Sequence, residues 1–131
     1  MLTFNNDDRL LGCGIDAEHI ERFSRWTGHG AEPPPFIFSP REIGYYRARS
    51  DCATGLCASF CCKEAVFKAI GNPYNFTDCE LLWEPFKKRY TFLLSAALRR
   101  EYSISDQKAV VDVKKSGECI VQVFLFGSRG Y

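Results

Sequence analysis

The chain has 131 residues, the size of one domain, and 15% of them are aromatic, so the sequence predicts a filled hydrophobic core rather than disorder. Its formal net charge is +1 without a clustered basic excess, which argues against a nucleic-acid-binding protein. No apolar run has the length of a membrane span and no signal-like region follows Met1, so we expect a single cytoplasmic domain over residues 1–131 with no membrane partner.

The first predicted element is a strand over residues 10–15, followed by a short helix from about Ile20 to Phe23. Asp16 and Glu18 lie between them, two residues apart, and share one side of an extended chain. Both carboxylates could therefore point to the same place. Taken singly, Asp16 is also a candidate helix N-cap, and Glu18 a solvated acid in the first helical turn. Both interpretations stay open.

The next predicted element is a helix with a clear start. Three consecutive prolines at residues 33–35 exclude helix and strand from the loop before it. A capping box follows, with Ser39 as the N-cap, Pro40 at the first helical position and Glu42 three residues after the cap. We predict a helix over about residues 40–49.

After a predicted turn at residues 50–55, residues 56–70 form the central predicted helix. Apolar side chains recur there at helical spacing and continue around the other side, so the helix is expected to be largely buried. Gly71 is expected to end it. Its charged residues are Lys63, Glu64 and Lys68.

These three charges have two explanations. Glu64 and Lys68 are four residues apart and can form a salt bridge on one face, while Lys63 lies on the apolar stripe and extends to the surface. Alternatively, the carboxylate binds a metal ion and the ammonium groups bind a polyanion, because a metal–phosphate site needs both signs of charge. The residues alone leave both explanations open.

The chain has seven cysteines, an odd number, and their spacings are not those of a zinc site. Cys57, Cys61 and Cys62 fall in the predicted buried helix, where cysteine behaves as a small hydrophobic residue. We therefore expect free, reduced thiols, which suits the cytoplasm.

The second half of the chain predicts strands and one further helix. Short strands are expected over residues 79–83 and 90–94, a helix over about 95–102, and a hairpin formed by 108–114 and 119–126. Together the elements predict an α+β fold, a single small domain in which an antiparallel sheet packs on the central buried helix.

Three segments, in this order, resemble the 4′-phosphopantetheinyl transferases, and most closely the short holo-acyl-carrier-protein synthase type. They are GIDAE at residues 14–18, FSPREIGYY at 38–46 and FCCKEAVFKAIG at 60–71. The resemblance implies the family's fold and its reaction. That reaction transfers the 4′-phosphopantetheine group of coenzyme A to a serine of an acyl or peptidyl carrier protein, requires Mg²⁺ and releases 3′,5′-ADP. It also implies a homotrimer with active sites between neighbouring subunits.

The resemblance implies a metal site as well. Asp16 and Glu64 would bind Mg²⁺ together with the pyrophosphate of coenzyme A, and Glu18 takes the place of an additional acid present in larger members. Mg²⁺ prefers a few carboxylates combined with substrate phosphates, which agrees with this set. The serine nucleophile needs a base, and either Glu64 or a metal-held water fits that role.

Three basic residues receive roles by the same resemblance. Lys68 would contact the pyrophosphate of coenzyme A and assist the leaving group, and Lys63 would contribute charge nearby. Arg22 takes the position of a basic residue that faces the acidic helix of the carrier protein.

The sequence departs from the family at two places. Short synthases usually have Arg or Lys just before the phenylalanine of the central helix, where this chain has Ser59. They also usually have a histidine in a late strand, whereas residues 110–115 contain none and the two histidines of the chain are His19 and His29. These differences leave the alternative of a non-catalytic relative that binds coenzyme A or a carrier protein. A third alternative is a purely structural domain, in which Lys63, Glu64 and Lys68 form a surface ion cluster.

Overall fold

The computed structural model describes residues 8–27 and 30–128; the predicted loop residue His29 lies outside them. No helix within these ranges is long and apolar enough to cross a membrane. In chain order the elements are β1 (Asp8–His19), a 3₁₀ helix (Ile20–Trp26), α1 (Pro40–Tyr46), α2 (Cys52–Ile70), a short 3₁₀ helix (Phe76–Asp78), β2 (Cys79–Glu84), β3 (Arg89–Leu94), α3 (Ala96–Tyr102), β4 (Asp106–Val113) and β5 (Glu118–Ser128).

The strands form two antiparallel sheets. One has three strands in the order β1-β5-β4, and the other is the hairpin β2-β3. The helix α2 packs against β1, β5 and β2, and its buried residues form the centre of the core. The predicted α+β fold with an antiparallel sheet on a central buried helix is confirmed, and the sheet is divided in two.

Two glycines bring β1 directly onto the backbone of α2. A Cβ atom on Gly14 would lie 2.1 Å from the carbonyl oxygen of Ala65, and one on Gly12 would lie 2.3 Å from that of Ala69. Any side chain at either position would force the strand away from the helix. The contact matters for function because Asp16 follows Gly14 by two residues and Glu64 precedes Ala65.

Both predicted ends of the first strand, residues 10 and 15, are wrong. The strand β1 begins at Asp8 and continues to His19, because it pairs with β5 over this range. Asp16 and Glu18 are therefore strand residues, so neither the N-cap nor the first-turn interpretation applies. Both side chains are partly buried, on the side of the strand that faces α2.

The boundary between the first two α-helices also differs from the prediction. The helix α1 ends at Tyr46, and α2 begins at Cys52, inside the predicted turn. Gly55, read from the sequence as a turn residue, lies within α2, where a Cβ atom would come 2.2 Å from the ring of Tyr46. This glycine marks a close packing contact between two helices. The predicted capping box at Ser39 and the helix end at Gly71 are both confirmed.

Candidate functional site

The site is built where β1 lies against the second half of α2. The Lys68 ammonium donates hydrogen bonds to Asp16 Oδ1 at 3.0 Å and to the carbonyl oxygen of Ile15 at 2.9 Å. Of the two explanations for these charges, the one with a Glu64–Lys68 salt bridge does not apply, since Lys68 forms its ion pair with Asp16 instead. The other carboxylate oxygen, Asp16 Oδ2, is buried and has no hydrogen-bond partner among the described residues.

Glu64 shares the electrostatic environment of these groups. Its pKa is raised, first by burial and then by the negative charges of Asp16 and, more weakly, Glu18, while Lys68 opposes the rise. The structure thus brings together three acids from two elements that are more than forty residues apart in the chain. An unpaired carboxylate held near two others favours the binding of a cation or of a proton.

Glu18 and Arg22 form an ion pair between the end of β1 and the 3₁₀ helix that follows it. The Arg22 side chain is 64% exposed, so the pair lies at the rim of the acidic site. Arg22 neutralises Glu18 in the free protein and leaves its own guanidinium open to solvent.

Lys63 does not lie at this site. Its side chain is fully buried, and its three N–H groups are directed to Glu42 Oε1, the carbonyl oxygen of Phe76 and that of Cys79. The prediction that Lys63 extends to the surface is wrong. The structure also gives no support to the expectation that Lys63 contributes charge to binding of coenzyme A, because all three donors of the ammonium are used in the interior.

The sequence did not reveal what Lys63 pairs with. Glu42 is fully buried and accepts hydrogen bonds from Lys63, Ser59, the backbone N–H of Leu81 and that of Ser39. One signal was available: a lysine on an apolar stripe requires a buried acid, and a capping-box glutamate can be one. The sequence could not show that α1 and α2 meet at these positions.

Ser59, which departs from the family pattern, belongs to the same buried network. Its hydroxyl donates to Glu42 Oε2, and its side chain is fully buried. An arginine or lysine at this position would have to enter the interior beside Lys63. The serine is therefore explained by packing around Glu42.

The carboxylates of Asp16 and Glu64 fit a magnesium ion whose remaining ligands are water and phosphate oxygens. Among residues 8–27 and 30–128, no group of three or more His, Cys, Asp or Glu could hold a metal ion by itself. In phosphate-binding sites, however, Mg²⁺ uses one or two carboxylates and completes its shell with water and phosphate oxygens. The unpartnered Oδ2 of Asp16 and the carboxylate of Glu64 are suited to such a site.

The cysteines are free thiols, as predicted. Six of the seven are buried and Cys13, on β1, is exposed. Cys62 and Cys79 have their Sγ atoms 3.9 Å apart, and burial raises the pKa of the Cys62 thiol well above its ordinary value. The buried thiols are therefore part of the core.

Comparison with known proteins gives a consistent result. A family model described as the 4′-phosphopantetheinyl transferase superfamily matches residues 12–122. A holo-[acyl-carrier-protein] synthase of Anaeromyxobacter sp. (strain K) is 40% identical over 79 residues, 57% of this chain and 62% of that protein. One of Clostridium perfringens is 30% identical over 91 residues, 67% of this chain and 68% of that protein. The chain therefore spans less than two thirds of the Anaeromyxobacter protein.

Solved structures share the fold. The holo-[acyl-carrier-protein] synthase of Neisseria meningitidis superimposes with a TM-score of 0.73 at 20% identity, covering 89% of this chain and 98% of that one. The Helicobacter pylori synthase in complex with coenzyme A gives a TM-score of 0.63 at 24% identity, covering 86% of this chain and 98% of that one. At these identities the likeness shows the fold alone.

Proposed function

The chain belongs to the 4′-phosphopantetheinyl transferase superfamily, and from this premise we propose that it transfers the 4′-phosphopantetheine group of coenzyme A to a serine of an acyl or peptidyl carrier protein. The observation that carries the proposal is the meeting of Asp16, Glu64 and Lys68 where β1 packs on α2. Related proteins named holo-[acyl-carrier-protein] synthase, and the coenzyme A complex of one structural relative, support the choice of substrates.

Asp16 and Glu64 would hold Mg²⁺, with Glu18 as an additional acid at the rim. When bound, the ion would neutralise charge on the pyrophosphate of coenzyme A. Asp16 Oδ2 supports this assignment because it is a buried carboxylate oxygen with no partner among the described residues. Burial is the main cause of the raised pKa of Glu64, and the negative charge of Asp16 is the next; that repulsion between the two carboxylates supports the assignment as well, since a cation would relieve it.

Glu64 and Lys68 would carry the reaction. The serine hydroxyl transfers its proton to Glu64 as the serine oxygen bonds to the phosphorus that carries pantetheine, and the phosphoanhydride bond to 3′,5′-ADP breaks. Lys68 contacts the pyrophosphate and stabilises the negative charge on the departing 3′,5′-ADP.

Arg22 would bind an acidic helix of the carrier protein. Its guanidinium is largely exposed and is held at the rim of the site by Glu18. A carrier carboxylate would therefore meet a positioned cation next to the acids that hold the metal.

We also propose a homotrimer, as the family resemblance implies. The outer face of the three-stranded sheet supports this. Ile15 and Val110 are paired with Gln122 from its two sides, and these apolar side chains are 53% and 42% exposed.

We propose one domain in a cytoplasmic location. A single family match over residues 12–122 supports one domain, and free thiols suit a cytoplasmic location.

The deciding experiment is incubation with Mg²⁺, coenzyme A and a panel of apo carrier proteins, read by intact mass. A carrier that gains one phosphopantetheine group supports the proposal. The lack of a histidine in residues 110–115 favours the alternative of a non-catalytic relative. Tight binding of coenzyme A without transfer to any carrier would support that alternative. Binding of neither coenzyme A nor Mg²⁺ would leave a structural domain.

A further inference from the structure

We propose that the Lys68 ammonium occupies the cation position beside Asp16 in the free protein, so that a divalent cation binds firmly only when a diphosphate group draws Lys68 away. The inference rests on the proposed function and concerns the order in which the same site is filled. It makes Lys68 an internal competitor of the metal ion before it becomes a ligand of the nucleotide.

The contacts of Lys68 support this exchange. Its ammonium lies 3.0 Å from Asp16 Oδ1 and 2.9 Å from the carbonyl oxygen of Ile15, both on β1. A carboxylate oxygen and a backbone carbonyl oxygen are also the ligand types that hard divalent cations prefer. The ammonium is thus held by the kind of oxygen atoms that a metal ion would use.

The surrounding ion pairs make Lys68 the cation that faces Asp16 and Glu64. Arg22 already neutralises Glu18, whereas Glu64 takes part in no ion pair within the described part of the chain. Lys68 is therefore the cation that balances Asp16 and partly Glu64. A divalent ion approaching Asp16 would find Oδ1 already bound to the Lys68 ammonium. It would also be repelled by the positive charge of that ammonium.

The Lys68 side chain is able to move away from Asp16. Lys68 is 50% exposed, and its long stem has a point charge at the end that can turn toward solvent. A diphosphate carries more negative charge than one carboxylate, so the ammonium gains by moving to it. The Asp16 carboxylate is then no longer paired and, with Glu64, would be able to hold the metal ion. Cation and coenzyme A should consequently bind with positive coupling.

The test measures Mn²⁺ binding to the full chain without coenzyme A, by electron paramagnetic resonance of the free ion. We expect Lys68→Met to bind Mn²⁺ about fivefold more tightly than the wild type or better, since the competing ion pair is lost. Lys68→Arg retains the charge and should keep the weak binding. Adding Asp16→Asn to Lys68→Met should remove the gain.

Lys114, the residue that follows β4, provides a matched control. Lys114 forms an exposed pair with Asp112 at 2.9 Å, and Lys114→Met should leave Mn²⁺ binding unchanged. Equal affinities of Lys68→Met and wild type would overturn the inference, as would a gain that survives Asp16→Asn or that Lys114→Met reproduces.

Mn²⁺ binding in the presence of coenzyme A provides a second test of the exchange. Coenzyme A should tighten Mn²⁺ binding to the wild type much more than to Lys68→Met, because the variant has no ammonium to move. Equal tightening in both proteins would contradict the exchange. Transfer to a carrier by the wild type is measured separately, so failure of the exchange is distinguished from failure of the proposed reaction.

Discussion

The ammonium of Lys63 lies 2.8 Å from Oε1 of Glu42, and both side chains are fully buried. The pair ties α2 to α1, and further hydrogen bonds tie it to Cys79 and Leu81 of β2. Successive residues of a helix are about 100° apart around its axis. With Lys63 held toward β2, the next residue, Glu64, turns toward β1 and the acidic site. The buried ion pair therefore fixes the rotation of α2 that the site requires.

Loss of Lys63 should destabilise the protein strongly. Lys63→Met leaves the Glu42 carboxylate buried without a cation, and we expect the free energy of unfolding to fall by about 3–5 kcal/mol. Urea denaturation would measure this change in the free energy of unfolding. Lys108→Met breaks an exposed pair with Asp106 and should cost less than about 1 kcal/mol.

A second change should recover much of that loss. Glu42→Gln combined with Lys63→Met removes the unpaired charge and keeps an acceptor for Ser59 and for the Leu81 N–H. If the double variant is no more stable than Lys63→Met alone, the cost does not come from the buried charge.

Glu64 should be required for the reaction and not for folding. Glu64→Gln retains the shape of the side chain but neither accepts the serine proton nor offers a charged metal ligand, so transfer should fall by about 10²–10⁴-fold. Intact mass of the carrier protein measures the rate, and the thermal midpoint checks the fold. Glu101→Gln, an exposed change on α3, is the matched control. Wild-type activity of Glu64→Gln would reject the assigned role.

The protonation of Glu64 should respond to its neighbours with opposite signs. Burial and the charges of Asp16 and Glu18 raise its pKa, while Lys68 lowers it. Glu18→Gln should therefore lower the Glu64 pKa, and Lys68→Met should raise it further. Carbon-13 NMR titration of the side-chain carboxyl in metal-free protein would measure both shifts. Shifts of the same sign in the two variants would show that these charges do not act on Glu64.

The same pKa sets the sign of a pH dependence. The base form of Glu64 is the carboxylate, so transfer should decline as the pH falls through its pKa. Burial and the charge of Asp16 raise that pKa in the metal-free protein, and a proton on Glu64 competes with the metal ion, so at limiting Mg²⁺ the decline should begin at a higher pH than for an ordinary glutamate. A pH–rate profile at limiting Mg²⁺ would measure the midpoint, and Glu18→Gln should move it toward acid.

Only one cysteine should react in the folded single subunit. Cys13 is exposed on the outer sheet face, two residues before Ile15, and the other six thiols are buried, so brief treatment of the dissociated Val110→Arg variant with iodoacetamide should add one label, and urea should expose all seven. Mass spectrometry of the labelled peptides identifies the site. Cys13→Ala should remove the fast label, and a fast label elsewhere would contradict the burial of the core thiols.

The assembly should be a trimer with three times the chain mass of 14.9 kDa. Sedimentation equilibrium would measure it. Val110→Arg places a charge on the exposed outer sheet face and should dissociate the assembly, whereas Val110→Thr should preserve it. A wild-type monomer would contradict the proposed trimer, and a trimer of Val110→Arg would move the interface to another face.

Local patterns were sufficient for most elements. Apolar periodicity, the capping box at Ser39 and the glycine at residue 71 predicted the helices, and the strand patterns at residues 108–114 and 119–126 predicted the β4–β5 hairpin. These signals succeed because they describe interactions between residues close in sequence. The start of α2 was missed because Gly55 has a packing role with Tyr46 that no local pattern contains.

The fold class, the family resemblance and the acids and lysines of the site could all be read from the amino-acid sequence. The pairing of the charges became visible in the folded chain: Lys68 with Asp16, Arg22 with Glu18, and Lys63 with Glu42 in the interior. The physical reason is that burial and distance, which set the strength of an ion pair, depend on how β1, α1 and β2 pack around α2. Residues remote in sequence make those contacts, and sequence spacing does not reveal them.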